Sequence, residues 1–216
     1  MKAVIFDMDG VIVDSEPLHI THLHEFLRSI GVARPDTFTR NLKGVSAYDT
    51  WRMLNETFEL KHDIDELIVR SRESYVQYLQ NLESLPVIPG ALTLIKYLKR
   101  SGYRLALASS AAPARIDMFL SKLKLKSYFE NVVSGDDVER SKPAPDIFLL
   151  AAHNLGAKPT ECVVIEDAEN GVQAAKAAGM RCIAYGGSLH NTDNLLEADL
   201  IVKDFGKLVK SMRTGL

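Results

Sequence analysis

The chain has 216 residues, about 1.4 times an average domain of roughly 150, which fits one domain with an insertion better than two separate domains. Hydrophobic residues make up 46% and charged residues 25%, a globular balance that excludes disordered, collagen-like and disulfide-scaffold chains. With 26 basic and 28 acidic residues the net charge is −2, so we expect neither a nucleic acid nor a membrane as partner.

The first predicted element is a short buried strand over residues 3–6, which ends at Asp7. Its apolar run is too short for a signal peptide or a membrane span, and no later stretch reaches the ~18 apolar residues that a spanning helix needs. Cys162 and Cys182 each lie inside an apolar run and form no metal-ligand spacing. These features predict a cytoplasmic protein with reduced, buried thiols.

The next region, residues 16–82, shows helical periodicity without a convincing strand. One apolar stripe ends at Gly31, a second includes Trp51 and Leu54, and a third covers one or two further helices. We therefore predict an all-helical domain over residues 16–82, inserted into a core domain formed by residues 1–15 and 83–216.

The rest of the chain alternates strands and helices. Apolar runs, many of them rich in β-branched residues, lie at 105–108, 132–133, 162–165, 182–185 and 200–202. Helical stripes follow Pro89 and Pro113, and two more end at Gly156 and Gly179. Continuous apolar strands that alternate with helices indicate an α/β fold with a doubly wound parallel sheet, covered on both faces.

Polar residues end several of these runs, where an open parallel sheet binds its ligands. Because clustered carboxylates repel one another, they favour a hard cation such as Mg²⁺, and magnesium held by few protein oxygens is typical of phosphate substrates. Lys142 and the Ser109 hydroxyl would then bind phosphoryl oxygens, and Asp7 is placed to attack phosphorus. The expected partner is a small phosphorylated metabolite. The candidate residues are Asp7, Asp9, Ser109, Ser110, Lys142, Glu166 and Asp167.

Other ligand motifs fit the sequence poorly. Gly10 stands at the wrong position for an EF-hand loop, and the chain has no P-loop, dinucleotide fingerprint or nucleophile elbow. A zinc site built from His19, His22 and His24 is the remaining rival, but their spacing is not that of an HExxH pair.

Four segments together resemble the motifs of the haloacid dehalogenase superfamily, in its branch of β-phosphoglucomutases and sugar-phosphate phosphatases: FDMDGVIVDSEPLH, LALASS, SKPAPDIF and VVIEDAENG. The resemblance covers the whole chain in order. It implies a Rossmann-like core with a helical cap inserted after the first strand, and a role in carbohydrate metabolism.

The resemblance also implies a role for each acidic residue. Asp7 would be the nucleophile that forms an aspartyl-phosphate, and Asp9 the general acid and then the general base. The side chains of Asp7 and Asp167 and the carbonyl of Asp9 would hold Mg²⁺, with Glu166 supporting directly or through water. Because dehalogenases lack the second acid, Asp9 disfavours cleavage of a carbon–halogen bond. Ser109 and Lys142 would bind the transferring phosphoryl group.

The cap carries further candidate residues for substrate binding. His19 matches a histidine of the mutase pattern, and Gly44 and Ser46 lie in a loop that resembles the mutases' specificity loop. In mutases the residue directly after Gly-Val-Ser is typically an arginine that binds the second phosphate, whereas this chain has Ala47 at that position. Losing such a contact removes about 1.5–3 kcal/mol, which favours a phosphatase. Other arginines that could supply the charge are Arg52, Arg70 and Arg72.

Three functions remain open. The favoured one is a Mg²⁺-dependent phosphatase of small phosphorylated metabolites, with sugar phosphates as the expected substrates. The alternative is a β-phosphoglucomutase, in which a sugar hydroxyl replaces water as the acceptor. A non-catalytic phosphometabolite-binding protein would have no use for the acid/base Asp9. The particular substrate, the oligomeric state and any protein partners are not determined by the sequence.

Overall fold

The computed structural model describes residues 3–38, 42, 45–187 and 193–214. The chain divides into two compact units, one formed by Met1–Ser15 with Leu85–Leu216 and the other by Glu16–Ser84. Within the described ranges there are six strands and eight helices. The strands are β1 Ala3–Phe6, β2 Arg104–Ser109, β3 Asn131–Ser134, β4 Cys162–Glu166, β5 Arg181–Tyr185 and β6 Leu200–Val202. The helices are α1 Glu16–Ser29, α2 Ala47–Phe58, α3 Ile64–Asn81, α4 Ala91–Arg100, α5 Pro113–Lys122, α6 Asp146–Asn154, α7 Glu169–Ala177 and α8 Phe205–Thr214.

The six strands form one parallel sheet in the order β3-β2-β1-β4-β5-β6. This is the strand order of a doubly wound Rossmann-like fold, so the predicted fold class is confirmed. Phe6 lies opposite Leu107 of β2 and Ile165 of β4, which makes β1 a central strand with a neighbour on each side.

Both faces of the central strands are buried, which explains their unbroken apolar runs. Ile5 packs in a cluster with Phe148 of α6 and Val172 of α7. Successive side chains of a strand point to opposite faces, and the ring of Phe6 meets Phe129 edge-on, with the ring centroids 6.0 Å apart. The interior positions of a strand covered on both sides favour apolar residues.

Helix α8 is an element that the sequence patterns above did not predict. Its Phe205 and Val209 are buried, and Gly206 lies against Gly90 just before α4, where a Cβ would meet the Gly206 nitrogen at 2.8 Å. The guanidinium of Arg213 lies 5.5 Å from the ring centroid of Tyr97 on α4. The last helix of the chain thus packs against α4.

The second unit contains α1, α2 and α3, and its described residues form no strand. Two N-caps define where helices begin: the Ser46 hydroxyl accepts from Asp49 N at 3.1 Å, and the Asp63 carboxylate from Glu66 N at 2.9 Å. The third stripe is one continuous helix. The buried cluster of this unit contains Phe26, Leu27, Val32, Trp51, Leu54, Leu60 and Leu67. In the part of the chain that the structure describes, no helix is both long and apolar enough to cross a membrane.

Candidate active site

The sheet order brings several of the predicted site residues of the core unit to one edge of the sheet. The order reverses between β1 and β4, and such a switch point opens a crevice beyond the carboxyl ends of the strands. Asp7 follows β1 directly, and Glu166 is the last residue of β4. The Asp7 amide donates to the Ile165 carbonyl at 2.9 Å, which keeps the two strand ends in register. Residues 159 positions apart in the chain therefore lie side by side.

Lys142 lies between two of the predicted carboxylates. Its Nζ is 2.6 Å from Oδ1 of Asp7 and 2.8 Å from Oε1 of Glu166. The three side chains are 4%, 9% and 2% exposed, in the order Lys142, Asp7, Glu166. The ammonium also lies 4.8 Å from the ring centroid of Phe148. Buried charges of this kind are stable only as a paired set, because each ion alone would lose its hydration without compensation.

Glu166 has both carboxylate oxygens engaged. Oε1 accepts from Lys142, and Oε2 accepts from the backbone amides of Asp167 at 2.6 Å and Ala168 at 2.8 Å. A Cβ at Gly171 would overlap this carboxylate, so the glycine provides the space that Glu166 occupies. In this arrangement Glu166 orients Lys142, and its predicted support of a metal remains a proposal.

The charges of the site act on each other's pKa. Burial raises the pKa of Asp7 well above its usual range, Lys142 opposes that rise, and the charges of Glu166, Asp9 and Asp167 add to it. Burial alone would lower the pKa of Lys142, but Asp7 and Glu166 outweigh it and raise that pKa. Lys142 therefore stays positively charged, and its charge favours the ionised form of Asp7 against the effect of burial.

The residues present fit a magnesium ion that keeps several water ligands. Among the described residues, no three His, Cys, Asp or Glu side chains form a group that could hold a metal. The predicted ligand set requires only two carboxylates, Asp7 and Asp167, with the Asp9 carbonyl. A Cβ at Gly10 would overlap the Asp167 carboxylate, so the loop after β1 provides room for that oxygen donor. One or two carboxylates with water and substrate phosphate is the usual protein environment of Mg²⁺.

The hydroxyls predicted to bind phosphate lie at the end of β2. Ser109 is fully buried, and its Oγ accepts from the Ala111 amide at 3.2 Å. The loop is held further by Ser134, whose hydroxyl donates to the Ala111 carbonyl at 2.7 Å. Ser110 is exposed, and its backbone lies against Gly135. The structure thus places Ser109 at the same edge of the sheet as Asp7, with Ser110 facing solvent.

Arg115 is a residue of this region that the sequence analysis missed. Its Nη2 lies 2.7 Å from Oδ2 of Asp9. The signal in the sequence is weak: Arg115 stands in the first turn of α5, where the helix dipole disfavours a cation and where no acidic residue is present. Only the tertiary contact shows what compensates its charge.

The cap candidates lie in the helical unit. His19 stacks on Tyr75 with ring centroids 4.3 Å apart, and the Ser46 hydroxyl both caps α2 and donates to the Asp49 carboxylate at 2.7 Å. Gly44 lies outside the described residues. His22 is buried, its Nε2 is 3.0 Å from the Ser74 hydroxyl, and burial lowers its pKa to about 4. These contacts account for His22 as a packed core histidine.

A Rossmann-like parallel sheet with a lysine held between two buried carboxylates at its switch point fits the class of α/β phosphoryl-transfer enzymes. The chain belongs to the haloacid dehalogenase-like hydrolase family, whose model matches residues 4–185. The resemblance found in the sequence is therefore confirmed.

Similar proteins include phosphatases and a mutase. The chain is 36% identical over 203 residues to a phosphorylated carbohydrates phosphatase of Thermotoga maritima, covering 93% of each chain. It is 32% identical over 213 residues to the β-phosphoglucomutase of Bacillus subtilis, covering 96% of this chain and 92% of that protein. The crystal structure of CbbY from Rhodobacter sphaeroides in complex with phosphate matches with a TM-score of 0.82, 26% identity and 96% of each chain covered.

Proposed function

We propose that this chain is a cytoplasmic, Mg²⁺-dependent phosphatase of small phosphorylated metabolites, with sugar phosphates as its substrates and an aspartyl-phosphate on Asp7 as its intermediate. The observation that carries the proposal is the buried Asp7–Lys142–Glu166 set at the switch point of the sheet. An ion pair that only stabilised the fold would not need the further carboxylates of Asp9 and Asp167 near Asp7. Phosphoryl transfer has a use for each of these acidic groups.

In the first step, a carboxylate oxygen of Asp7 attacks phosphorus and forms the acyl-phosphate bond. The bond from phosphorus to the ester oxygen breaks, its electron pair goes to that oxygen, and Asp9 donates the proton that completes the alcohol product. Lys142 and the Ser109 hydroxyl bind oxygens of the transferring group, where negative charge is concentrated. A magnesium ion held by Asp7, Asp167 and the Asp9 carbonyl would supply further positive charge at these oxygens.

In the second step, water replaces the alcohol as the reacting partner. Asp9, now a carboxylate, takes a proton from water while the water oxygen attacks phosphorus. The acyl-phosphate bond breaks, its electrons return to Asp7, and inorganic phosphate is released. The net reaction is hydrolysis of one phosphate ester, with both aspartates restored.

The relatives support a sugar-phosphate substrate, and one feature of the helical unit bears on the acceptor. The Thermotoga protein is named for phosphorylated carbohydrates and the Bacillus protein is a β-phosphoglucomutase, so the family resemblance allows either acceptor. Ala47, the first residue of α2, stands where the mutase pattern has an arginine for the second phosphate. Its methyl group cannot bind phosphate, which favours water as the acceptor. A sugar hydroxyl as acceptor remains the second candidate because of the Bacillus relative.

The test is to measure phosphate release from a panel of sugar phosphates with and without Mg²⁺. In parallel, β-glucose 1-phosphate with a trace of the 1,6-bisphosphate is followed for glucose 6-phosphate. Asp7→Asn removes the nucleophile at nearly constant volume and is expected to abolish turnover. Asp117→Asn is the matched control, because Asp117 is an exposed carboxylate paired with Lys126, and it should keep full activity.

Each alternative has its own outcome. Isomerisation that far exceeds phosphate release would make the protein a mutase. Binding of sugar phosphates without turnover would identify a phosphometabolite-binding protein. Near wild-type activity of Asp7→Asn, with the control also active, would refute the nucleophile assignment.

A further inference from the structure

A partly buried ion pair joins Asp9 to Arg115, 106 residues later in the chain. The two side chains are 30% and 16% exposed, whereas those of the surface pair Asp49 and Arg52 are 50% and 53% exposed. A guanidinium that has lost most of its hydration depends on its carboxylate partner much more than an exposed one does. The contact is therefore a defined part of the core unit, unlike a surface pair that forms and breaks freely.

The position of Arg115 is fixed by the same loop that holds Ser109. Two hydrogen bonds restrain Ala111, since its amide donates to the Ser109 Oγ at 3.2 Å and its carbonyl accepts from the Ser134 hydroxyl at 2.7 Å. Helix α5 begins two residues later, and Arg115 is its third residue. The backbone that carries Arg115 is thus anchored to the ends of β2 and β3.

The backbone around Asp9 is also fixed, but its side chain requires a further restraint. The Gly10 amide donates to the Val13 carbonyl at 2.7 Å, and the Ile12 amide donates to the Met8 carbonyl at 2.9 Å. These bonds define the turn after β1 and leave the two side-chain torsions of Asp9 to be set by its contacts. The bond from Arg115 sets the direction of one carboxylate oxygen.

We infer that Arg115 is a positioning residue for proton transfer: it holds the Asp9 carboxylate in the orientation from which a proton is given to the leaving oxygen and taken from water. The inference rests on the proposed function. A group that hands over a proton must lie within hydrogen-bond reach of it, and small displacements reduce the rate steeply. Arg115 acts through Asp9 in this role and contributes little to substrate affinity.

The experiment separates the two chemical steps by the choice of leaving group. p-Nitrophenolate departs without needing a proton, whereas a sugar alkoxide does need one. The two rates are measured with p-nitrophenyl phosphate and rapid quenching. In Arg115→Ala, Asp7 should become phosphorylated at a rate within about twofold of the wild type. Hydrolysis of the aspartyl-phosphate should be roughly 10- to 100-fold slower. With a sugar phosphate, kcat should fall by a similar factor while KM changes by less than about twofold.

Two matched variants accompany this measurement. Lys126→Ala removes the cation that pairs with Asp117, a residue of the same helix α5 that carries Arg115. The Lys126 side chain is far more exposed than that of Arg115, so this variant should change neither step. In an Asp9→Asn background, Arg115→Ala should cost no further activity, because a residue that acts through Asp9 has nothing left to position.

The results that overturn the inference are distinct from those that overturn the proposed function. Equal slowing of both steps, a rise in KM with constant kcat, or a further tenfold loss in the Asp9→Asn background would each show that Arg115 does not act by positioning Asp9. Should Arg115→Ala fail to fold, Arg115→Lys keeps the charge on a differently shaped donor and must show the same division between the steps. Activity retained in Asp7→Asn would instead refute the nucleophile.

Discussion

Replacing Lys142 by methionine tests whether the buried charge set stabilises the fold as well as the reaction. Methionine has a similar length and can pack beside the ring of Phe148, so the main change is the loss of one positive charge. Asp7 and Glu166 would then face each other with side chains only 9% and 2% exposed. Removing one partner from a buried ionic set costs about 3–5 kcal/mol.

That free energy translates into a large shift of the melting temperature. For a protein of this size each kcal/mol lowers the transition by about 2–4 °C, so we expect Lys142→Met to melt roughly 6–20 °C below the wild type. Without Lys142 the pKa of Asp7, already raised by burial, rises further. A carboxyl whose pKa is higher in the folded than in the unfolded state binds more protons when folded. The stability that Lys142→Met loses relative to the wild type must therefore grow as the pH rises from 5 to 8.

Thermal denaturation followed by circular dichroism at several pH values measures both effects. Lys126→Met is the matched control, since both partners of its ion pair with Asp117 are more than half exposed and such pairs contribute about 0–1 kcal/mol. Adding Glu166→Gln to Lys142→Met should restore part of the lost stability by removing one of the two stranded charges. A melting temperature within about 2 °C of the wild type, or a deficit that shrinks with rising pH, would refute the reasoning.

Three further predictions concern other features of the two units. Gly10 has a φ of 73°, and a Cβ there would overlap the Asp167 carboxylate. Gly10→Ala should therefore lower activity and reduce the gain in melting temperature that Mg²⁺ gives. A magnesium titration of the melting temperature that matches the wild type would contradict this. Burial lowers the pKa of His22 to about 4, so as the pH falls the imidazole of the unfolded state takes up a proton before that of the folded state. The free energy of unfolding should therefore fall as the pH drops from about 6.5 toward 4. His22→Gln should remove this pH dependence. Burial raises the pKa of both thiols, that of Cys182 to about 12, so iodoacetamide should label neither Cys162 nor Cys182 until the protein is unfolded; labelling of the native protein, read by mass spectrometry, would show that a thiol is accessible.

Much of the fold followed from local patterns. The apolar runs predicted all six described strands. The central strands favour apolar residues because the sheet is covered on both faces there, as β1 shows from Ala3 to Phe6. Gly156 and Gly179 marked helix ends correctly, since each adopts a positive φ just after α6 or α7. Helix α8 was missed although Phe205 and Val209 are buried on one face, because a short amphipathic pattern near a chain end carries little weight alone.

Part of the site also followed from the sequence. Asp7, Ser109 and Glu166 could be named as candidates because each stands at the carboxyl end of a predicted parallel strand, and such ends share one edge of the sheet. Which side chain touches which could not be derived in the same way. The contacts of Lys142 with Asp7 and Glu166 span 135 and 24 residues and come from a loop whose path no local pattern describes.

By itself, the sequence determined the kind of sheet, the inserted helical region and the chemical groups at the strand ends, because hydrophobic periodicity and turn residues act over short distances along the chain. Tertiary structure alone decided how those groups pair. It turned Glu166 toward Lys142 and the amides that follow it, and it brought Arg115 to Asp9 across 106 residues. Burial is what gives these pairings their strength, and burial is a property of the packed fold that no local segment of the sequence carries.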